Sequence, residues 1–326
     1  YNPPIGLRRA ASLQGRPTLS RTGNRSHIGE WFEDFFDFQI NLFWEDLRNH
    51  AGVLARDNAE AIKQIGTRVQ AALPVAASGI DTGSIVTLNN LSEPLQALIT
   101  QLRTDTDKTV RSAIAKAFLS EPSLLDDLMK FVATLETVEE VDDDELDGDD
   151  DEEPRQVRVG RDAAVDALLR ALKAKARAIA NSRPTSKRSR NGRIIEWFGE
   201  RGPDRDALRK IGQDLAVLTS LRRFLNPARR LLNGISTRYR RFRRERQADN
   251  RWYAANGFQL HELNPLEVDV ILLGLLRAGA DLLADRRIAR SAAGLANAAL
   301  EQVTSLYRNQ VLVDEATDFS PIQLAC

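Results

Sequence analysis

Cysteine is almost missing from this chain: one residue in 326, at Cys326. That excludes a disulfide framework and any cysteine-based zinc site, and it accords with a reducing, cytoplasmic compartment. The three histidines, His27, His50 and His261, lack any metal-ligand spacing. No run approaches the roughly 18 uninterrupted apolar residues needed to span a bilayer, so no membrane is expected. Nothing before Pro17 has a charged n-region followed by an apolar h-region, so no secretory leader is expected. A hydrolase-type nucleophile elbow is absent, which argues against an independent protease. The dipeptide Gly-Lys does not occur, so these residues contain no G-x-x-x-x-G-K-[ST] phosphate loop.

What is present is a core-forming composition, 42% hydrophobic and 28% charged. The length suggests two domains, or one with a large insertion. Net charge is zero, with 46 basic and 46 acidic side chains. The distribution is far from even. Residues 1–138 carry a net −2, residues 139–153 carry 12 acids and no base, and residues 155–251 carry 27 bases against 9 acids. A block of +18 beside a block of −12 says more than the average does.

Residues 1–26, rich in Pro, Gly, Ser and Arg, predict a loop. From Glu30 the string WFEDFFDFQINLFWEDL sets Trp31, Phe35, Phe38 and Leu42 at helical spacing, with Phe32, Phe36, Phe43 and Leu47 on an adjoining stripe. This helix reads first as the anchor of a core and second as a partner-binding aromatic face. A further amphipathic stretch runs from Val53 to Leu73, closed by Pro74. The Gly-, Ser-, Thr- and Asn-rich residues 75–92 read as irregular around Ile85-Val86. Helices follow from Ser92, through Lys108–Leu119, and over Ser123–Thr137.

The acidic tract EEVDDDELDGDDDEE (139–153), closed by Pro154, predicts an exposed linker or hairpin tip. It is not an EF-hand loop. With Gly148 at the sixth position the twelfth is Pro154, so the bidentate ligand is missing.

Beyond it, Val165, Leu168, Leu169, Leu172, Ala176 and Ile179 follow helical spacing from Asp162. Another helix is expected over Asp204–Arg223. After Pro227, Leu231, Leu232, Ile235, Tyr239 and Phe242 form an apolar seam. Asn264-Pro265-Leu266-Glu267 is a strong helix start, because Pro needs no donor at the first position and Glu can reach back to the cap amide. That helix is expected to run to Ala284, and another over Arg287–Tyr307.

Then the character changes. Val311-Leu312-Val313 is a β-branched run ending in Asp314-Glu315. An apolar strand with acids at its carboxyl end is how an α/β nucleotide hydrolase holds magnesium and orients a water. The full string VLVDEATDFSPIQL, from Val311 to Leu324, resembles the Walker B motif (motif II) of the UvrD/Rep-like superfamily 1 helicases. The resemblance covers fourteen residues. It implies Asp314 as magnesium ligand, Glu315 as catalytic base, and ATP with Mg2+ as cofactors of the intact protein. It also implies a mainly α fold: a large helical insertion followed by the first strand-helix piece of a RecA-like P-loop α/β domain. Thr317 departs from the family's usual Gln, a residue placed to sense the γ-phosphate. On this resemblance the phosphate loop is expected upstream of Tyr1 and the arginine motifs beyond Cys326. The expected organisation is a helical region (1–138), an acidic linker (139–154), a basic helical region (155–305) and the start of the core (306–326).

The basic block has two readings. Arg238, Arg240, Arg241, Arg243, Arg244 and Arg246 interleave with Tyr239 and Phe242 as a phosphate-binding surface with stacking platforms would, with DNA ahead of RNA. Alternatively, the arginine stems cover apolar surface, or the block faces the acidic tract. The corresponding rival function is a non-catalytic helical module binding a protein partner through its acidic and basic segments.

Overall fold

The computed structural model describes residues 8–9, 25–75, 79–135, 160–184, 186, 188–249, 251–253, 262–263, 265–291 and 298–306. Over them the chain is mainly α-helical. Two compact units are assembled from separated stretches. One comprises Tyr1–Gly52, Gly66–Ser92 and Arg223–Cys326, and the other Val53–Ile65 and Glu93–Arg222. No helix among the described residues is long and apolar enough to cross a membrane.

The first unit is organised by α1 (Arg25–Ala55), which begins inside the stretch expected to be loop. Its aromatic face turns inward: Trp31, Phe32, Phe35, Phe36, Phe43, Trp44 and Leu47 are buried. Fully burying one such side chain stabilises by about 1.5–3 kcal/mol, so this stripe of seven contributes substantially to the unit's core. The inward face is rotated slightly from the expected one. Gln39 and Ile40 are buried, whereas Phe38 and Leu42 remain half-exposed.

After α1 a turn intervenes, in which the Ala59 amide donates to Asp57 (2.8 Å), and α2 (Glu60–Ala72) starts afresh. The single stretch expected over Val53–Leu73 is therefore two helices. The irregular region expected around Ile85-Val86 is likewise corrected to a helix, α3 (Thr82–Asn89). Asp81 caps it, accepting from the Ser84 amide (3.1 Å) and the Ser84 hydroxyl (2.9 Å). A capping side chain that fills an orphan amide outweighs weak propensity.

In the second unit α4 (Ser92–Ser120) joins two expected helices into one, followed by α5 (Leu124–Thr134). Then come α6 (Arg161–Ala180), α7 (Arg190–Phe198), a short 3-10 turn (Gly199–Arg201) and α8 (Arg205–Arg222). The close crossing of α6 and α8 depends on Gly212, where a Cβ would stand 2.7 Å from the Ala180 Cβ. Lys173 pairs with Asp107 (2.5 Å), tying α6 to α4.

The first unit resumes with α9 (Pro227–Asn233), α10 (Ile235–Ala248), α11 (Pro265–Ala284), α12 (Arg286–Ser291) and α13 (Ala298–Leu306). The last two lie within the one helix expected over Arg287–Tyr307. Leu231, Leu232, Ile235, Tyr239 and Phe242 are all buried, as the seam predicts. A parallel pair of two-residue strands, β1 (Arg8–Arg9) and β2 (Glu262–Leu263), aligns Arg8 with Glu262. The sequence reading had no strand at either place. The acidic tract and Val311–Val313 lie outside the described residues.

Candidate functional site

The residues assigned to nucleotide chemistry, Asp314 and Glu315, lie outside the described residues, as does Thr317. The nearest described element is α13, which ends at Leu306. Among the described residues no group of three or more His, Cys, Asp or Glu side chains is placed to hold a metal. The Gly-Lys dipeptide of a phosphate loop is likewise absent from the sequence.

The arginine run is described in full, and all of it lies on α10. Three of the six guanidinium groups point into the unit. Arg243 is 6% exposed and stands 3.5 Å from Glu267, itself 1% exposed. The Tyr239 hydroxyl donates to Glu267 (3.2 Å) and lies 2.7 Å from the Tyr253 hydroxyl. This closes a buried polar cluster joining α10, α11 and residue 253. Burial and the Glu267 charge push both tyrosines well above the usual phenol range. Glu267, expected at the third position of its helix as a cap partner, stands in a core ion pair with Arg243; its cap residue, Asn264, lies outside the described residues.

Arg246 forms a fork on Asp34 of α1, with Nε and Nη2 each 2.9 Å from a carboxylate oxygen. Its guanidinium also covers the rings of Phe38 (5.5 Å) and Phe242 (5.2 Å), which explains why Phe38 need not turn inward. Trp252 donates its indole N–H to the same carboxylate (2.7 Å) while sitting in the left-handed region at φ 65°. Such a backbone costs on the order of 1–3 kcal/mol and persists because its neighbours hold it. Burial would raise the Asp34 pKa, but the Arg246 and Trp252 hydrogen bonds and the charges of Arg246 and Arg251 outweigh it and hold the carboxyl below its usual range.

Arg238 is the third inward group. Its Nε donates to Gln39 Oε1 (3.0 Å), Nη2 to the Leu231 carbonyl, and its plane lies over Phe43 (5.6 Å). Arg240 is half-exposed, and Arg241 and Arg244 are exposed. Arg241 pairs along the helix with Glu245 (2.9 Å). The run is therefore not one continuous cationic stripe: α10 divides it between an internal face and a solvent face.

Sequence reasoning missed Asp34, Glu267 in its ion-pair role, and Trp252. The signal for the sorting was in the seam. Arg246 continues the spacing of Ile235, Tyr239 and Phe242, and Arg243 follows Tyr239 by one turn, so both share the buried stripe.

The chain matches no family model, no curated protein and no solved structure.

Proposed function

We propose that the chain is part of an ATP-dependent nucleic-acid helicase or translocase of the UvrD-like kind. Asp314 would hold the magnesium and Glu315 would serve as the base that activates water. The observation that carries this reading is the string VLVDEATDFSPIQL, an apolar strand sequence ending in paired acids. A long, mainly helical region ahead of that string is in keeping with a helical insertion before a RecA-like core. Bound ATP and Mg2+ would supply the phosphoryl-transfer chemistry. Glu315 would take the proton from the attacking water.

The test is ATP binding by the protein extended upstream of Tyr1 to its start codon. A G-x-x-x-x-G-K-[ST] loop is expected there, and replacing its Lys should abolish binding. An extended protein without that loop, or one that binds no ATP, refutes the reading.

One observation favours a second reading. Arg238, Arg243 and Arg246 are spent on Gln39, Glu267 and Asp34, which reduces the cationic surface available to a nucleic acid. A non-catalytic helical module binding a protein partner needs no more than that. The same ATP-binding measurement separates the two.

A further inference from the structure

The basic surplus of residues 155–251 is not confined to α10. Between Asp166 and Glu196 the chain carries nine basic side chains and no acid. This run covers most of α6, the connection after it and the start of α7, and all of it belongs to the second unit. We propose that this end of the second unit binds single-stranded nucleic acid, with phosphates held by Arg177, Arg183, Arg188 and Arg193 and a base stacked at Trp197.

Three features carry the inference. The first is exposed charge. Arg177, Arg183, Arg188 and Arg193 are all exposed, whereas Arg238, Arg243 and Arg246 of α10 turn into their own unit. Arg177, Arg188 and Arg193 have no ion-pair partner among the described residues. Lys173, by contrast, is spent on Asp107. A nucleic-acid strand carries one negative charge per nucleotide, and guanidinium forks match the paired oxygens of a phosphate.

The second is local geometry. The connection from α6 to α7 is tied at both ends. At one end the Asn181 amide donates to the Arg177 carbonyl (3.0 Å) and the Arg183 amide to the Ala178 carbonyl (2.8 Å). At the other, the Ser189 hydroxyl donates to the Ser186 carbonyl (2.8 Å) and accepts from the Gly192 amide (3.0 Å), while the Arg193 amide donates to the Ser189 carbonyl (3.0 Å). Arg183 is thereby held beside the turn that carries Arg177, and Arg188 beside the turn that carries Arg193. A backbone held in this way has less freedom to lose when its side chains are engaged.

The third is an aromatic platform. Trp197 follows Arg193 by four residues on α7, so the two share a face, about 6 Å apart along the helix axis. The indole stacks on Phe131 of α5, with 5.3 Å between centroids and 13° between planes, and both rings remain half-exposed. Aromatic rings open to solvent beside a cationic track suit an unpaired base, whereas the base faces of a duplex are already covered. The inference uses neither Asp314 nor Glu315 and stands or falls apart from the proposed ATPase.

The test is binding of a fluorescein-labelled oligothymidylate to the full chain by anisotropy, without ATP, over a series of salt concentrations. For a single strand each phosphate held contributes about −0.7 to the slope of log K against log[salt]. Arg188→Gln combined with Arg193→Gln should weaken binding about tenfold at low salt and make the slope shallower by about 1.4. Trp197→Ala should weaken binding about tenfold with the slope unchanged, because a stacked base releases no counterion. Arg241→Gln combined with Arg244→Gln, exposed arginines of the other unit, should change neither. If Trp197→Ala does not fold, the exposed arginine pair still decides. A full chain that binds no oligothymidylate at low salt overturns the proposal, as does a folded Arg188→Gln, Arg193→Gln protein that keeps both affinity and slope. Tighter binding of poly-L-glutamate than of oligothymidylate of equal length also overturns it, and assigns the surface to an acidic protein partner. With no ATP present, each result is read independently of whether the extended protein binds nucleotide.

Discussion

Replacing Arg243 with Gln should unsettle the first unit far more than the same change at Arg241 or Arg244, two neighbours on one helix. Arg243 and Glu267 form an ion pair at 3.5 Å with both side chains almost wholly buried. Removing one partner of such a pair typically costs about 3–5 kcal/mol, because the other charge stays out of water. A ceiling follows from the carboxyl's own chemistry. Glu267 can shed the unwanted charge by taking up a proton, and for a carboxyl of ordinary pKa, about 4.3, that costs about 3.7 kcal/mol at pH 7. The expected loss is therefore about 3–4 kcal/mol, or roughly 6–15 °C in Tm for a unit of this size. At pH 5 the same escape costs only about 1 kcal/mol, so the gap between Arg243→Gln and the unsubstituted protein should narrow as the solution is acidified. Arg241→Gln gives up an exposed pair along the helix, about 0.3–0.5 kcal/mol, and Arg244→Gln should shift stability by no more than about 0.5 kcal/mol. Urea unfolding followed by far-UV circular dichroism at both pH values reads all three. Equal stabilities for Arg243→Gln and Arg241→Gln, or a gap that widens in acid, would refute the reasoning.

Asp34→Asn should cost about 1.5–3 kcal/mol at neutral pH, since it takes the charge from the Arg246 fork and the Trp252 hydrogen bond. The folded Asp34 carboxyl titrates below its unfolded value of about 3.9, so its contribution is full above that pH and is lost as pH falls through the folded value. The variant and the unsubstituted protein should therefore converge below about pH 4, and parallel acid-unfolding curves would count against this. Gly212→Ala forces a methyl to within 2.7 Å of the Ala180 Cβ, so it should destabilise the second unit by about 1–3 kcal/mol or more in thermal unfolding. An unchanged Tm would mean α6 and α8 can move apart at no cost.

Much of the helical fold could be read from spacing alone. The aromatic stripe of Trp31 to Leu47 and the seam from Leu231 to Phe242 are buried as their period requires. Where the reading went wrong, a local signal competed with composition. Ser and Thr around Ile85 suggested a loop, while Asp81 three residues ahead of Ser84 was in fact an N-cap. The reverse held for the arginines. Counting charge along the chain treats Arg238–Arg246 as one block, but a helix sorts it by angle, and the inward members found Asp34, 212 residues away, and Gln39, 199 residues away. Partners at such separations leave no mark in a local pattern. Nor could the two units, each assembled from separated stretches, be inferred from charge blocks in order.

The most direct test of the functional proposal is steady-state ATP hydrolysis, with nucleic acid present, by the protein extended to its start codon and by its Glu315→Gln variant. The account predicts that kcat falls by orders of magnitude while ATP binding is largely kept, because the substitution removes the base and leaves the metal ligand Asp314 in place. Hydrolysis at the unsubstituted rate with Gln at that position would contradict it.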